Sequence, residues 1–151
     1  MSTETLHELI DALAGTPGAL AARISDLSDK ALRLRKADDY FSPVETICHL
    51  RDLEVEGYTV RIERILNEEQ PVLPDIDGGR LAVERDYNGQ DIRLALAAFG
   101  DARARNVRTV RDLRPHQLSR SGTLHGVGSV TLDKLLAMMH EHDEGHLDDL
   151  R

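Results

Sequence analysis

The sequence predicts an all-α fold, a four-helix bundle formed as one domain by residues 1–151. Apolar residues recur at three- and four-residue spacing along four long stretches, as helices with one buried stripe require. Proline and glycine are concentrated between those stretches, where helices end. A chain of 151 residues can bury roughly two-thirds of its unfolded surface, so a single bundle core needs no disulfide bonds.

The first predicted helix covers Glu4–Leu27. Its apolar stripe consists of Leu6, Leu9, Ile10, Leu13, Leu20, Ile24 and Leu27. A Gly-Thr-Pro-Gly run at positions 15–18 interrupts the stripe, and a Thr-Pro pair is also typical of a helix start. The pattern therefore allows either one kinked helix or two helices, followed by a short helical turn within Asp29–Lys36.

The second predicted helix begins at Ser42–Pro43 with a capping box to Glu45, and continues to about Asn67. A connection of 23 residues follows, at positions 68–90, and it is rich in proline and glycine. Connections of this length in a compact domain are usually functional or disordered. We predict that the segment Gln70–Gln90 is a mobile polar lid that covers the functional site, whereas a plain solvent-exposed linker is the alternative.

The third predicted helix extends from about Gln90 to Leu113 and carries Arg103 at its middle, and an Arg-Pro pair marks its end. A polar, glycine-containing loop follows from His116 to Gly128. The fourth helix is predicted to start near Ser129 or Thr131. The longest connection therefore lies between the second and third helices.

The charge and composition of the chain exclude several classes of partner. Its net charge is −8, which would repel a phosphate backbone, so nucleic acid is not expected to bind. Aromatic residues make up 3% of the chain and tryptophan is absent, so there are few platforms for stacking bases or sugars. A small polar ligand or a metal ion remains as the expected partner.

The sequence also suggests a compartment. The N-terminal residues are acidic rather than basic, and no apolar run reaches the length of a signal peptide or of a membrane span. The single cysteine, Cys48, cannot form an internal disulfide and gives no sign of an oxidising compartment. We therefore expect a cytoplasmic protein without membrane association.

Three histidines are the candidate metal ligands. His142 and His146 are four residues apart, so they share one face of the fourth helix, together with the apolar residue Met139. His49 lies about two turns into the second helix, where a bundle could direct it toward that pair. Three imidazoles from two helices would leave coordination positions open, which is typical of a catalytic rather than a structural metal site.

Nearby residues have simpler interpretations. Any one of these histidines alone would more often bond a backbone carbonyl than a metal. Glu45 could contact a ligand or act as a base, but its capping box already explains it. Cys48 points about 100° away from His49 on the helix and is expected to be a small buried hydrophobe.

The other polar residues near the C-terminus are expected to face solvent. His140 points about 200° away from His142 in helical geometry, which predicts a surface position. Asp143 and Glu144 are expected to form a solvated acidic face. His125 is expected to lie in a loop, although it could line the mouth of the site.

Several motifs resemble those of the DinB-like family of metal-binding four-helix bundles. They are SPVETICHL with its His49–Leu50 pair, the arginine helix with Arg103, and VTLDKLLAMMHEHDEGHL with its histidine pair. The resemblance covers nearly the whole chain, although Phe41 stands where the family often has tryptophan. It implies an up-down-down-up bundle that is often dimeric. It also implies a divalent ion, commonly nickel or zinc, held by residues matching His49, His142 and His146.

The resemblance also implies a function. Relatives in the superfamily include enzymes that use low-molecular-weight thiols as cosubstrates. We therefore expect a divalent-metal-dependent enzyme, a thiol S-transferase or a hydrolase, that acts on a small molecule and forms a homodimer. The alternative is a non-catalytic, stress-related bundle in which the ion serves stability. Fold and motifs name neither the substrate nor a catalytic residue beyond the metal ligands.

Overall fold

Four long helices make up most of the computed structural model, which describes residues 2–151. The helices in chain order are α1 (Thr3–Ile24), α2 (Asp29–Leu32), α3 (Pro43–Asp52), α4 (Thr59–Asn67), α5 (Gly78–Glu84), α6 (Ile92–Arg111), α7 (Pro115–Leu118) and α8 (Leu132–Asp149). A π-helical segment, Leu53–Tyr58, joins α3 to α4 without a break, so these three form one bundle helix. The bundle therefore consists of α1, α3–α4, α6 and α8.

The helix α1 is continuous through Pro17, which resolves the choice between one helix and two. Thr16 does not cap a second helix. Its hydroxyl instead donates to the carboxylate of Asp143 at 2.7 Å. Proline has no N–H for the carbonyl four residues earlier, and that carbonyl, on Leu13, accepts a hydrogen bond from Arg103 at 3.0 Å. The interior proline thus frees an acceptor that the bundle uses.

The second bundle helix begins as predicted. The Ser42 hydroxyl accepts from the Glu45 N–H at 3.2 Å, and the Glu45 carboxylate accepts from the Ser42 N–H at 3.0 Å. The π-helical segment was not predicted. It adds a residue to the helical turn, a feature that often occurs at functional sites. The Thr59 hydroxyl donates to the Glu54 carbonyl at 2.9 Å within this distorted turn.

The connection at positions 68–90, predicted to be a mobile polar lid, is folded and is not a plain solvent-exposed linker. It contains α5 and a short 3-10 helix, Tyr87–Gly89. Leu81 and Ala82 are buried, and so is Tyr87, whose hydroxyl donates to Asp52 on α3 at 2.5 Å. The segment packs against the second bundle helix and contributes to the core.

A β-hairpin that periodicity did not reveal begins within the loop predicted at His116–Gly128 and ends at Thr131. Strand β1 (Ser121–Leu124) pairs antiparallel with β2 (Gly128–Thr131), with Ser121 opposite Thr131. The turn needs positive φ angles of 79° at Gly126 and 97° at Gly128, which glycine adopts without strain. Four-residue strands are too short to give a clear alternating pattern.

Contacts between the helices give the up-down-down-up order. The numbers of the contacting residues increase together along α1 and α8, so these two helices are parallel. They run in opposite directions for α6 against α1 and for α3–α4 against α8, so these two pairs are antiparallel. The contacts that give these directions are Thr16 with Asp143, Arg23 with Leu147, Leu13 with Arg103, Asp11 with Arg111, His49 with His146, and Tyr58 with His142. The four-helix, up-down-down-up prediction is confirmed.

Buried apolar residues form two clusters along the bundle. One surrounds Ile62, Leu135 and Met139, and the other surrounds Ile47 and Phe99. Within residues 2–151, no helix combines the length and apolarity that crossing a bilayer demands.

Candidate metal centre

The structure brings the three predicted histidines together. His49 is on α3, and His142 and His146 are one turn apart on α8. One ring nitrogen from each lies within 4.8 Å of the others. The His49 ring centroid is 5.4 Å from that of His142 and 5.0 Å from that of His146. Among the residues that the structure describes, this is the only group of three such side chains with suitable spacing.

The spacing within the α8 pair suits a shared ion. The Nε2 atoms of His142 and His146 are 3.2 Å apart. Two imidazole nitrogens bound at about 2.0–2.1 Å with a tetrahedral angle between them would be roughly 3.3 Å apart. The pair therefore needs little rearrangement to hold one cation between its Nε2 atoms.

The other ring nitrogens of this pair lack protein partners. Nδ1 of His142 and Nδ1 of His146 are buried and accept or donate no hydrogen bond within residues 2–151. The carboxylate of Asp149 lies 3.6 Å from Nδ1 of His146, which is too far for a direct hydrogen bond. Neither ring thus makes the hydrogen bond to a backbone carbonyl that is expected of a buried histidine with no metal-binding role.

Burial keeps all three imidazoles neutral. Burial, together with the neighbouring His146 and His142, lowers the pKa of His49 to about 3. Burial likewise lowers the pKa of His142 to about 4 and lowers that of His146. Neutral imidazole is the form that binds metal, so the three side chains are ready as ligands near pH 7.

Two residues hold the His49 ring. The Phe41 ring, which precedes α3, lies 5.4 Å from the His49 ring, centroid to centroid. On another side is Gly78, at the start of α5, where a Cβ atom would be 2.7 Å from Nδ1 of His49. A side chain at position 78 would therefore displace the His49 ring, and the connection of positions 68–90 reaches the histidines at this point.

The simpler interpretations of Glu45 and Cys48 are confirmed. Glu45 completes its capping box and also accepts two hydrogen bonds of 2.7 Å from Arg35. These contacts outweigh burial and lower the pKa of its carboxyl group. The Cys48 side chain is fully buried in the apolar core, and burial raises the pKa of its thiol to about 11.

The prediction that Asp143 faces solvent is wrong. Asp143 is 1% exposed, and Arg103 donates to it at 2.6 and 3.0 Å. The same guanidinium donates twice to Glu54 at 2.9 Å. Helical geometry placed Asp143 away from the histidines correctly, but a bundle helix has neighbours on several sides. Glu144 is exposed, as predicted.

Two other histidines were also assigned from the sequence. His140 is half-buried and its Nδ1 atom is enclosed without a protein partner in the described part of the chain, so it is not a simple surface residue. His125 is exposed in the hairpin turn and does not join the cluster.

Tyr58 and Arg61 also lie beside the histidines, and neither was predicted as a site residue. The Tyr58 ring centroid lies 6.5 Å from that of His142, edge to face, and the Arg61 guanidinium carbon lies 5.2 Å from the Tyr58 ring centroid. Their three-residue spacing was a usable signal, because it puts both residues on one face of the second bundle helix.

Residues 12–150 match the DinB superfamily, and the chain belongs to it. A protein of Oceanobacillus iheyensis, whose name describes a metal-dependent hydrolase in provisional terms, is 25% identical over 142 residues. That match covers 94% of this chain and 81% of the relative.

A solved structure has the same fold. YfiT from Bacillus subtilis is described as a probable metal-dependent hydrolase with an unusual four-helix bundle topology. It superposes with a TM-score of 0.92 at 21% identity, over 99% of this chain and 87% of that one.

Proposed function

We propose that His49, His142 and His146 bind one divalent metal ion and that the protein is a metal-dependent hydrolase of small molecules. The observation that carries the proposal is the set of three neutral imidazoles whose ring nitrogens lie within 4.8 Å of one another. The provisional activities of the Oceanobacillus relative and of YfiT support the same reaction class.

The donor set suits a catalytic ion. Imidazole ligands suit zinc, nickel, copper and iron, and the family resemblance favours zinc or nickel, so we propose one of these two. When bound, such an ion supplies a Lewis acid that lowers the pKa of a water or a thiol in an open coordination position.

The surrounding residues orient the ligands. The carboxylate of Asp149 is on the Nδ1 side of His146, which favours the tautomer with its proton on Nδ1 and its lone pair on Nε2. Phe41 and Gly78 restrict the His49 ring. Preorganised rings reduce the ordering cost of binding an ion.

We also propose a low-molecular-weight thiol as a cosubstrate, which would make the reaction an S-transfer rather than a hydrolysis. The support for it is the family resemblance together with the affinity of zinc and nickel for thiolate ligands. The buried Cys48 is not a candidate for this thiol, because its sulfur is enclosed in the core.

The test of the metal centre is metal analysis of protein purified without a histidine tag. We expect about one equivalent of zinc or nickel per chain, and His146→Ala is expected to abolish stoichiometric binding while helical content stays nearly unchanged. The matched control is His125→Ala, since His125 is exposed in the hairpin turn. Full metal occupancy in His146→Ala would refute the ligand assignment.

The reaction class needs a separate assay. Metal-loaded and chelator-treated protein should be screened against esters and amides, and then with added thiols. We expect turnover that needs the metal. A loaded protein that binds no substrate and turns over none would favour the non-catalytic alternative, in which the ion only stabilises the bundle.

We also propose that the protein forms a homodimer. Its other proposed partner is the small-molecule substrate. Phe99 gives no support, because it is fully buried in the chain's own core. Val60 and Leu96 are only half-buried, and the family resemblance points to a dimer. Sedimentation velocity should show a dimer at micromolar concentration, and a monomer would refute the proposal.

A further inference from the structure

A second polar group lies beside the histidines. It consists of Tyr58, the last residue of the π-helical segment, and Arg61, one turn later on α4. We call it the Tyr58–Arg61 pair. The Tyr58 ring contacts the His142 side of the cluster, with 6.5 Å between ring centroids. The Arg61 guanidinium lies over the same tyrosine ring, 5.2 Å from its centroid.

Arg61 is a buried cation without a carboxylate partner. It is 6% exposed, and its Nε atom donates to the Pro74 carbonyl at 3.0 Å. Its two Nη atoms have no hydrogen-bond acceptor within residues 2–151. Both atoms keep some contact with solvent, since the only fully buried side-chain nitrogens without a partner in the described residues are on histidines. A guanidinium this far removed from water normally has an anion beside it.

The Tyr58 hydroxyl also lacks a hydrogen-bond partner in the described part of the protein. Tyr58 is 6% exposed, and its hydroxyl makes no hydrogen bond within the described residues while keeping access to solvent. A phenol carries its proton near pH 7, so this hydroxyl can donate a hydrogen bond. The pair therefore presents guanidinium N–H groups and one O–H group without acceptors.

Arg64, on the same helix, is an arginine whose donors and charge are satisfied within the protein. It donates to the Val72 carbonyl and pairs with Glu68 at 2.9 Å, so both its loop contact and its charge are satisfied. Arg61 makes the equivalent loop contact with Nε alone. Its remaining donors are not needed to hold the loop.

We propose that the Tyr58–Arg61 pair binds a carboxylate group of the substrate, while the reacting group of that substrate lies at the three histidines. This rests on the proposed metal-dependent function and specifies its substrate class as small carboxylic acids. One guanidinium provides a single positive charge and a planar pair of Nη donors, which match a carboxylate monoanion.

The experiment measures binding, not turnover. Cobalt(II)-loaded protein is titrated with mercapto acids of two to six carbons and with mercapto alcohols of the same lengths. Thiolate binding is followed by the cobalt absorption spectrum. At the chain length that spans the two groups, we expect the acid to bind at least about tenfold more tightly than the alcohol, as a charge-assisted hydrogen bond implies.

Variants separate recognition from folding. Arg61→Gln can keep a bond to the Pro74 carbonyl but loses the charge, so the preference for the acid should disappear. Arg64→Gln, the matched control, should keep it, and Tyr58→Phe should reduce it. If Arg61→Gln does not fold, Arg61→Lys should show a weakened preference, because it keeps the charge and loses the planar pair of donors.

The outcomes distinguish this proposal from the metal centre. Protein that binds no cobalt would refute the metal centre and the carboxylate site together. Bound cobalt with equal affinity for acids and alcohols at every length would refute the carboxylate site alone, as would an acid preference that survives in Arg61→Gln. Stronger competition by inorganic phosphate than by acetate would also overturn the carboxylate assignment if that difference disappears in Arg61→Gln.

Discussion

Two polar clusters lie side by side in this bundle, and adjacent residues of α8 belong to each. Asp143 joins Arg103 and Glu54 in a cluster whose charged groups are paired at 2.6–3.0 Å. His142 joins a cluster whose buried Nδ1 atoms have no partner within residues 2–151. A buried polar group that the protein satisfies serves the fold, whereas one left unsatisfied is the better candidate for binding a ligand.

The largest expected effect breaks the satisfied cluster. Arg103→Met leaves Glu54 and Asp143 buried without a cation, so the free energy of unfolding should fall by about 3–5 kcal/mol. Urea denaturation of metal-free protein measures it. The control is the triple variant Arg103→Met, Glu54→Gln and Asp143→Asn, which removes all three charges and should recover part of the loss. Equal stability of Arg103→Met and the unmodified chain would show that the cluster is not structural.

A smaller effect, on metal affinity, is expected when a side chain is added against the histidine cluster. Gly78→Ala places a methyl group against the His49 ring, where the Cβ would lie 2.7 Å from Nδ1, so the ring must move. Metal affinity should fall by about 10- to 100-fold, as for other residues that orient ligands. Gly79→Ala is the matched control, because its Cβ would come no closer than 3.8 Å to Asp77. Calorimetric metal titration compares them, and equal affinities would mean that Gly78 does not position His49.

The third effect, which is small near pH 6.5 and grows as the pH falls, is the pH dependence of stability in metal-free protein. Burial is the main cause that lowers the pKa values of His49 and His142, to about 3 and about 4. The unfolded chain takes up protons below about pH 6.5, whereas the folded chain does not until those lower values. Stability should therefore fall as pH drops from about 6.5 toward 4. Bound metal should delay this loss.

The variant that isolates the histidines replaces His49 with phenylalanine and His142 with methionine. Between pH 6.5 and 5, where few carboxyl groups titrate, the slope of unfolding free energy against pH should be shallower than in the unmodified chain. An unchanged slope in this range would assign the acid sensitivity to other groups.

Several features could be predicted because they depend on local sequence. Apolar periodicity predicted the four helices, and the Ser42–Glu45 capping box predicted the start of the second one. Helical geometry placed His142 and His146 on one face. Boundaries were less accurate, since α6 begins at Ile92 rather than Gln90 and the β-hairpin was missed.

Other features could not be predicted, because they depend on which helices become neighbours. Residue spacing alone places His142 and His146 on one face of α8 and suggests His49 as the third member, but only the bundle brings their ring nitrogens within 4.8 Å. Packing also decided that Asp143 is buried against Arg103 while Arg61 is left without a carboxylate. Helix caps and apolar periodicity depend on residues that are close in sequence, whereas the partner of a buried polar group depends on which distant segments pack together.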